Sequence, residues 1–140
     1  MNLTTSIVFN VPASAVWEGL TDPKIVEQYF FGTQQKSDYK IGSPITFSGE
    51  WEGTKYEDKG TILDITPGTY LKYNYWSSMG GLEDKPENYA NVSYKLSEEE
   101  GKTVLEITQD NIKDEAAKEH SEKNWQMLMG ELKKLLESRS

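Results

Sequence analysis

The chain has 140 residues, of which 23 are Asp or Glu and 15 are Lys or Arg, so its net charge at pH 7 is −8. An acidic surface repels phosphate groups and the lysines are scattered among acids, so we expect neither a nucleic-acid partner nor membrane insertion. The length suits one domain, 1–140, with a single core. The absence of cysteine excludes thiolate chemistry, and the first residues do not resemble a signal peptide, so the expected location is the cytoplasm.

The first thirty residues predict one strand followed by two short helices. Alternating apolar residues over 3–11 are typical of a half-buried strand, which Pro12 ends. Pro12 also suits the start of a helix. A second helix is expected over about 23–30, because Asp22 is a good N-cap and the residue before Pro23 avoids the helical conformation.

The region from Ser37 to Gln109 predicts an antiparallel meander. Short runs rich in Ile, Thr, Tyr and Phe alternate there with turn signals that contain glycine. The predicted strands cover about 44–51, 55–65, 69–76, 88–96 and 103–109. One parity within them is mostly apolar or aromatic, which predicts a buried sheet face. The residues placed on that face include Phe47, Leu71, Tyr73, Tyr75, Tyr94, Leu105, Ile107 and Gln109.

The last segment, from about Ile112 to Ser138, predicts a long helix with Asn111 as its cap. At 100° per residue, a sector of roughly 120° collects the large apolar side chains. These are Trp125, Leu128, Met129, Leu132, Leu135 and Leu136. Projected towards the N-terminus, the same sector reaches the small residues Ser121 and Ala117, whereas Met127 projects to the opposite side. The buried stripe should therefore be bulky at one end and thin at the other.

This order of elements resembles the helix-grip fold of the START-like or SRPBCC superfamily. Four motifs carry a closer resemblance, to the subgroup related to the C-terminal domain of the activator of the ninety-kilodalton heat-shock protein's ATPase. They are VWEGLTDPKIVEQYFFG at 16–32, GTILDITPGTYLKYNYW at 60–76, GKTVLEITQDN at 101–111 and NWQMLMGELKKLLE at 124–137. The resemblance covers nearly the whole chain. It implies an α+β fold in which a curved antiparallel sheet of about six strands wraps around the C-terminal helix.

The chain departs from the family pattern at two places. The aromatic pair before glycine is often Trp-Trp or Trp-Phe in the family, but here the sequence reads Tyr29-Phe30-Phe31. Gln109 stands where many members carry a histidine, so any chemistry of that histidine is lost at this position. The resemblance still implies a cavity for lipids, sterols, polyketides or other apolar molecules, in a superfamily that also includes cyclases, hydrolases and chaperone regulators.

The polar residues predict no catalytic site, no metal site and no cofactor. His120 is the only histidine and projects away from the apolar stripe, without the carboxylate of a general base or the companions of a metal ligand. The acidic runs at 98–100 and 83–84 fall in predicted turns and lack the ligand spacing of a calcium loop. We expect these side chains to be solvated.

We expect a cavity between the sheet and the thin end of the last helix, because Leu or Phe in place of the small residues would have filled it. The residues predicted to line it are Phe47, Leu71, Tyr73, Tyr75, Tyr94, Gln109, Ala117, Ser121 and Trp125. Their hydroxyl and amide groups could orient a mostly apolar ligand. Alternatively, the side chains fill the space and bond to one another or to trapped water. The sequence leaves both possibilities open.

The leading functional hypothesis is a non-enzymatic or weakly enzymatic domain that binds a small apolar molecule such as a lipid, sterol or polyketide-like compound. One alternative is a protein-interaction role, such as co-regulation of a chaperone ATPase in a stress response. Another is an enzyme of the cyclase or hydrolase type, for which the sequence shows no competent acid–base set. The segment 77–89 is longer than a tight hairpin requires and is interpreted either as a lid over the cavity or as an irregular loop.

Overall fold

A computed structural model describes residues 1–30, 32–51, 53–77 and 83–139. The elements in chain order are β1 (Leu3–Phe9), α1 (Ala13–Thr21), α2 (Pro23–Tyr29), β2 (Gln34–Ser37), β3 (Pro44–Trp51), β4 (Thr54–Thr66), β5 (Tyr70–Tyr75), a 3-10 turn (Pro86–Asn88), β6 (Ala90–Glu99), β7 (Lys102–Gln109) and α3 (Glu115–Arg139). Within the described ranges, seven strands form one antiparallel sheet in the order β1-β7-β6-β5-β4-β3-β2. The sheet curves around α3, so the α+β helix-grip fold is confirmed.

The two short helices form where the proline signals predict them. The Asp22 carboxylate accepts a hydrogen bond from the backbone N–H of Lys24 at 2.9 Å, as an N-cap does. The Tyr29 hydroxyl donates to the Gly19 carbonyl at 2.8 Å and ties α2 to α1. A Cβ on Gly19 would lie 2.7 Å from a methyl carbon of Leu132, so glycine permits α1 to approach α3 closely.

The strand β2 was not predicted. Its four residues, QQKS, carry no alternation of apolar side chains, which is the signal that identifies a half-buried strand. The one side chain that it buries belongs to Gln35, which donates to the Leu20 carbonyl at 2.8 Å. The sheet therefore has one strand more than the sequence pattern predicts.

The predicted cap of the last helix was wrong. Asn111 has φ of 53°, and its side-chain amide donates to the carbonyls of Glu87 and Tyr89 at 2.9 and 3.1 Å, so it fixes a loop instead. The helix begins at Glu115. The Asp114 carboxylate accepts from the backbone N–H of Ala117 at 2.8 Å and takes the capping role.

The core lies between the inner face of the sheet and the helices. The C-terminal half of α3 buries Met129, Leu132 and Leu136 against it, whereas Met127 is 50% exposed on the opposite side, both as predicted. None of the helices in the described ranges is long and apolar enough to cross a membrane.

The strand β4 approaches β5 closely and its pairing with β5 is irregular. A Cβ on Gly60 would lie 1.6 Å from the carbonyl oxygen of Asn74, and the Asn74 side chain accepts from the backbone N–H of Thr61 at 2.6 Å. The register shifts between Ile62 and Asp64, which marks a β-bulge. Bulges increase the local bend and twist of a strand, so we expect this region to add to the curvature of the sheet.

Candidate functional site

A cavity of about 230 Å³ lies between the inner face of the sheet and the first half of α3, and it is partly open to solvent. Strands β3, β5, β6 and β7 supply its floor, and the end of α2 supplies one wall. The lining residues are Phe30, Phe47, Tyr73, Tyr75, Val92, Gln109, Ser121, Asn124, Trp125 and Leu128. Aromatic and aliphatic side chains make up most of this surface, and every polar group on it is uncharged.

Six of the nine residues predicted for a cavity are brought together in this lining. They are Phe47, Tyr73, Tyr75, Gln109, Ser121 and Trp125. Leu71, Tyr94 and Ala117 are not among the lining residues. Leu71 is fully buried in the core, Tyr94 lies behind Tyr73 and Trp125, and Ala117 is half-buried one helical turn before Ser121.

Four lining residues were not predicted for the cavity. Phe30 follows the last residue of α2, and nothing in its sequence context shows that it meets β3 across the cavity, where its ring centroid lies 6.4 Å from that of Phe47. Val92 shares the inward parity of β6, so strand alternation could have included it. Leu128 was predicted as core and lies at the boundary. Asn124 is an exposed residue of the helix that also lines the cavity.

The aromatic rings form a continuous wall. The Phe47 ring centroid lies 5.9 Å from that of Tyr73 and 5.5 Å from that of Tyr75. From Tyr73 the contacts continue to Tyr94 at 5.7 Å and from there to Trp125 at 5.9 Å, both nearly edge-to-face. Such arrangements stabilise the pairs beyond the burial of their area. Interlocked rings hold the shape of the cavity, and they fill only part of the space beneath the helix.

Trp125 on α3 and Gln109 on β7 both line the cavity and contact each other. The indole Nε1 of Trp125 donates to the side-chain oxygen Oε1 of Gln109 at 2.8 Å. Since an indole N–H can only donate, this bond fixes which way the Gln109 amide points. It also bridges α3 and the end of β7, so it holds the thin half of the helix at a set distance from the sheet.

Three tyrosine hydroxyls lie at or behind the floor. The hydroxyls of Tyr73 and Tyr94 bond to each other at 2.8 Å. Burial raises the pKa of the Tyr73 and Tyr94 hydroxyls above the ordinary value of 10. Both are therefore neutral phenols at physiological pH and add polarity without charge.

A buried carboxylate stands behind the third tyrosine. Asp58 on β4 is 8% exposed and accepts a hydrogen bond from the Tyr75 hydroxyl. Burial, followed by this bond, raises the pKa of Tyr75, which makes it a poor proton donor at neutral pH. Asp58 was not predicted as a site residue, although it shares the inward parity of Gly60 and Ile62, and an acidic residue at a buried strand position is unusual enough to suggest one.

The other polar candidates lie outside the cavity. His120 is exposed, and its Nε2 lies 3.4 Å from the Asn124 amide nitrogen. Within the described ranges no three acidic or histidine side chains are close enough to hold a metal ion.

Of the acidic run at 98–100, Glu100 lies in a turn and all three side chains are exposed, as expected, whereas the first two residues end a strand. Glu98 lies in β6 and accepts from the backbone N–H of Ala13 at 2.6 Å.

The second acidic run flanks the long loop. Asp84 pairs with Lys59 at 2.5 Å and accepts from the Tyr89 hydroxyl at 2.5 Å. These contacts lower the pKa of Asp84, and the bond to Lys59 has the largest effect. The segment 77–89, interpreted as a lid or an irregular loop, includes residues 78–82, which lie outside the described residues, so neither interpretation is tested.

Known proteins share this sequence pattern and architecture. The family model described as Activator of Hsp90 ATPase homolog 1-like protein matches residues 10–137. The solution structure of ChR145 from Cytophaga hutchinsonii is 42% identical, with a TM-score of 0.87, and the match covers 99% of this chain and 95% of that chain. No curated protein matches the sequence.

More distant structures share the fold. MLL2253 from Mesorhizobium loti is 17% identical with a TM-score of 0.80, and the match covers 100% of this chain and 99% of that chain. The Aha1 dimer from Colwellia psychrerythraea is 15% identical with a TM-score of 0.75, at 97% and 96% coverage. The family model spans most of the chain and the 42% identical structure has the same architecture. The chain therefore belongs to the family of activator of Hsp90 ATPase homolog 1-like proteins and has their START-like fold.

Proposed function

We propose that this domain binds a small, mostly apolar molecule in the cavity between the sheet and α3. The observation that carries the proposal is an aromatic cavity of about 230 Å³ with only uncharged polar groups on its surface. Binding sites for small molecules are typically concave, mostly apolar and equipped with a few polar groups that orient the ligand. The half-buried Ser121 keeps the helix side of the cavity open.

The volume of the cavity limits the size of the ligand. An apolar cavity of about 150 Å³ accommodates benzene, so by proportion a cavity of 230 Å³ suits a molecule of about nine or ten non-hydrogen atoms. A whole sterol or phospholipid is far larger. We therefore propose a ligand of one or two rings, or one ring-sized end of a longer molecule that extends through the open side.

The experiment is a titration with naphthalene, which has the proposed size and no polar group. At about −0.5 kcal/mol per non-hydrogen atom, the expected dissociation constant is about 0.2 mM, and NMR chemical-shift titration measures it in buffer with dimethyl sulfoxide as co-solvent to keep naphthalene dissolved. Ser121→Leu places a branched side chain in the cavity and should weaken binding at least about tenfold, because it occupies the ligand's space.

The matched control is Glu122→Leu, which introduces the same side chain at an exposed position of the same helix. This variant should bind naphthalene as the wild type does. Wild-type protein that shows no saturable shifts, or equal binding by the Ser121→Leu variant, would overturn the proposed site.

A second candidate is co-regulation of a chaperone ATPase. The family match favours it, since the family's description names an activator of the Hsp90 ATPase and one similar structure is that of an Aha1 dimer. The test is stimulation of an Hsp90 ATPase by the purified domain, together with co-purification of the two proteins. Negative results in both assays would remove this candidate and leave the cavity proposal standing.

A further inference from the structure

We infer that the cavity selects a neutral ligand that carries a carbonyl oxygen, and that the side-chain amide of Gln109 donates to this oxygen. The inference rests on the proposed function, because it concerns the ligand of the same cavity. The hydrogen-bonding capacity that the described contacts leave unused lies on Gln109.

The Gln109 amide presents a donor to the cavity. Its oxygen is occupied by the indole N–H of Trp125 at 2.8 Å, so the nitrogen Nε2, with two N–H groups, points elsewhere. Within the described part of the chain, no group bonds to Nε2. No fully buried side-chain nitrogen or oxygen in the described residues lacks a partner. The nitrogen is therefore accessible, and since Gln109 lines the cavity, we infer that this nitrogen is on the cavity side.

The strand geometry supports this direction. Gln109 pairs with Leu3 on one side and with Val92 on the other, so neighbouring strands flank it within the sheet. It shares the inward parity of Leu105 and Ile107, both fully buried beneath the helices. Because strands flank Gln109 on both sides, the remaining direction for its amide nitrogen is the space under α3.

The other polar groups of the floor have less to offer. The Tyr75 hydroxyl donates its hydrogen bond to Asp58, and the Tyr73 hydroxyl is hydrogen-bonded to that of Tyr94. The Ser121 hydroxyl and the amide of the exposed Asn124 can each donate or accept, so they impose no preference of their own. Gln109 alone among these lining groups keeps two N–H donors without a partner in the described residues, and it therefore favours an acceptor on the ligand.

The charge pattern excludes an anionic acceptor. None of the ten lining residues is a lysine, arginine or histidine, and the chain as a whole carries a net charge of −8. A carboxylate buried here would lose its hydration without gaining a counter-ion, which is costly. A ketone, amide or ester carbonyl accepts the same hydrogen bond without that cost.

Three probes of about nine non-hydrogen atoms separate these properties: acetophenone, α-methylstyrene, in which a methylene group replaces the carbonyl oxygen, and benzoate, which is ionised at neutral pH. A net hydrogen bond of average strength corresponds to a preference of about fivefold for acetophenone over α-methylstyrene. Benzoate should bind at least about tenfold more weakly than acetophenone. In the wild-type protein, acetophenone should shift the Gln109 side-chain amide resonances and α-methylstyrene should not.

The variant Gln109→Glu keeps an oxygen for the Trp125 indole and removes the two donors. Measured at about pH 8, where the new carboxylate is ionised, it should bind both neutral probes with equal affinity. The control Gln34→Glu makes the same charge change at an exposed position of β2 and should retain the preference.

Three results overturn the inference in different ways. Equal binding of acetophenone and α-methylstyrene by the wild type, or a preference that survives in Gln109→Glu, would refute the carbonyl contact while leaving apolar binding intact. Failure of both neutral probes to bind would refute the proposed function together with the inference.

Discussion

Replacement of Tyr75 by phenylalanine should destabilise the fold because it removes a donor from a buried carboxylate. The Tyr75 hydroxyl donates to Asp58, which is only 8% exposed. Hydrogen bonds to charged groups contribute about 1.5–3 kcal/mol, and loss of a partner from a buried group costs a similar amount. We therefore expect the free energy of unfolding of Tyr75→Phe to fall by about 2 kcal/mol at pH 7. Urea denaturation followed by circular dichroism measures this change.

The same strand provides a matched control. Tyr70 also lies in β5, and in the part of the chain that the structure describes its hydroxyl has no hydrogen-bond partner. Tyr70→Phe should change the free energy of unfolding by less than about 0.5 kcal/mol, as surface substitutions usually do.

A double-mutant cycle isolates the Tyr75–Asp58 pair. Tyr75→Phe and Asp58→Ala, measured singly and together, should show a coupling energy of about 1.5–3 kcal/mol, because each change removes the same bond. If Tyr75→Phe costs no more than Tyr70→Phe, or if the two changes add without coupling, then the buried phenol–carboxylate pair does not stabilise the wall of the cavity as described.

Two further predictions concern the backbone and pH. Gly60→Ala places a Cβ 1.6 Å from the Asn74 carbonyl oxygen, so the strands must shift and the free energy of unfolding should fall by about 2 kcal/mol or more. The control Gly130→Ala lies in open space on α3 and should instead raise the free energy of unfolding by about 0.5–1 kcal/mol. Equal effects of the two variants in urea denaturation would contradict this prediction. The bond from Lys133, and then that from the Asn10 backbone, lower the pKa of Glu137 from its ordinary 4.5. Because the pKa is lower in the folded state, the ionised carboxylate stabilises the fold above pH 4.5, and this stabilisation is lost as the pH falls through the lowered pKa. The difference in free energy of unfolding between the wild type and Glu137→Gln should therefore vanish in acid. A difference that does not change with pH would refute this prediction.

Much of the fold follows from local patterns in the sequence. Asp22 and Pro23 start a helix by capping and by restricting the backbone, and these effects depend on a few neighbouring residues. The strands β3 to β7 alternate apolar and polar residues because one face is buried. The strand β2 has no such alternation, because its inward residue is the polar Gln35, whose side-chain amide donates a hydrogen bond to the Leu20 carbonyl. Its existence depends on pairing with β3, which the sequence does not display.

The start of the last helix shows the same limit. Asparagine is a common N-cap residue, but the side-chain amide of Asn111 donates hydrogen bonds to the carbonyls of Glu87 and Tyr89, more than twenty residues away in the chain. Asp114, three residues later, caps the helix instead. Either residue type suits an N-cap, so local chemistry alone does not choose between them.

The cavity was predictable in part. The inward parity of the strands placed Phe47, Tyr73, Tyr75 and Gln109 on one face, and the helical period placed Ser121 and Trp125 opposite them. Where α3 crosses the sheet is a tertiary feature. It determines that Phe30 and Asn124 line the space and that Leu71, Tyr94 and Ala117 do not. The orientation of the Gln109 amide likewise depends on its contact with Trp125.

The most direct test of the proposed ligand site is the measurement of intermolecular nuclear Overhauser effects from bound naphthalene to the protein. The cavity site predicts contacts to the side chains of Phe47, Val92 and Leu128, which line the cavity from the sheet and the helix. Contacts confined to the exposed pair Val8 and Val104 on the outer face of the sheet would contradict it.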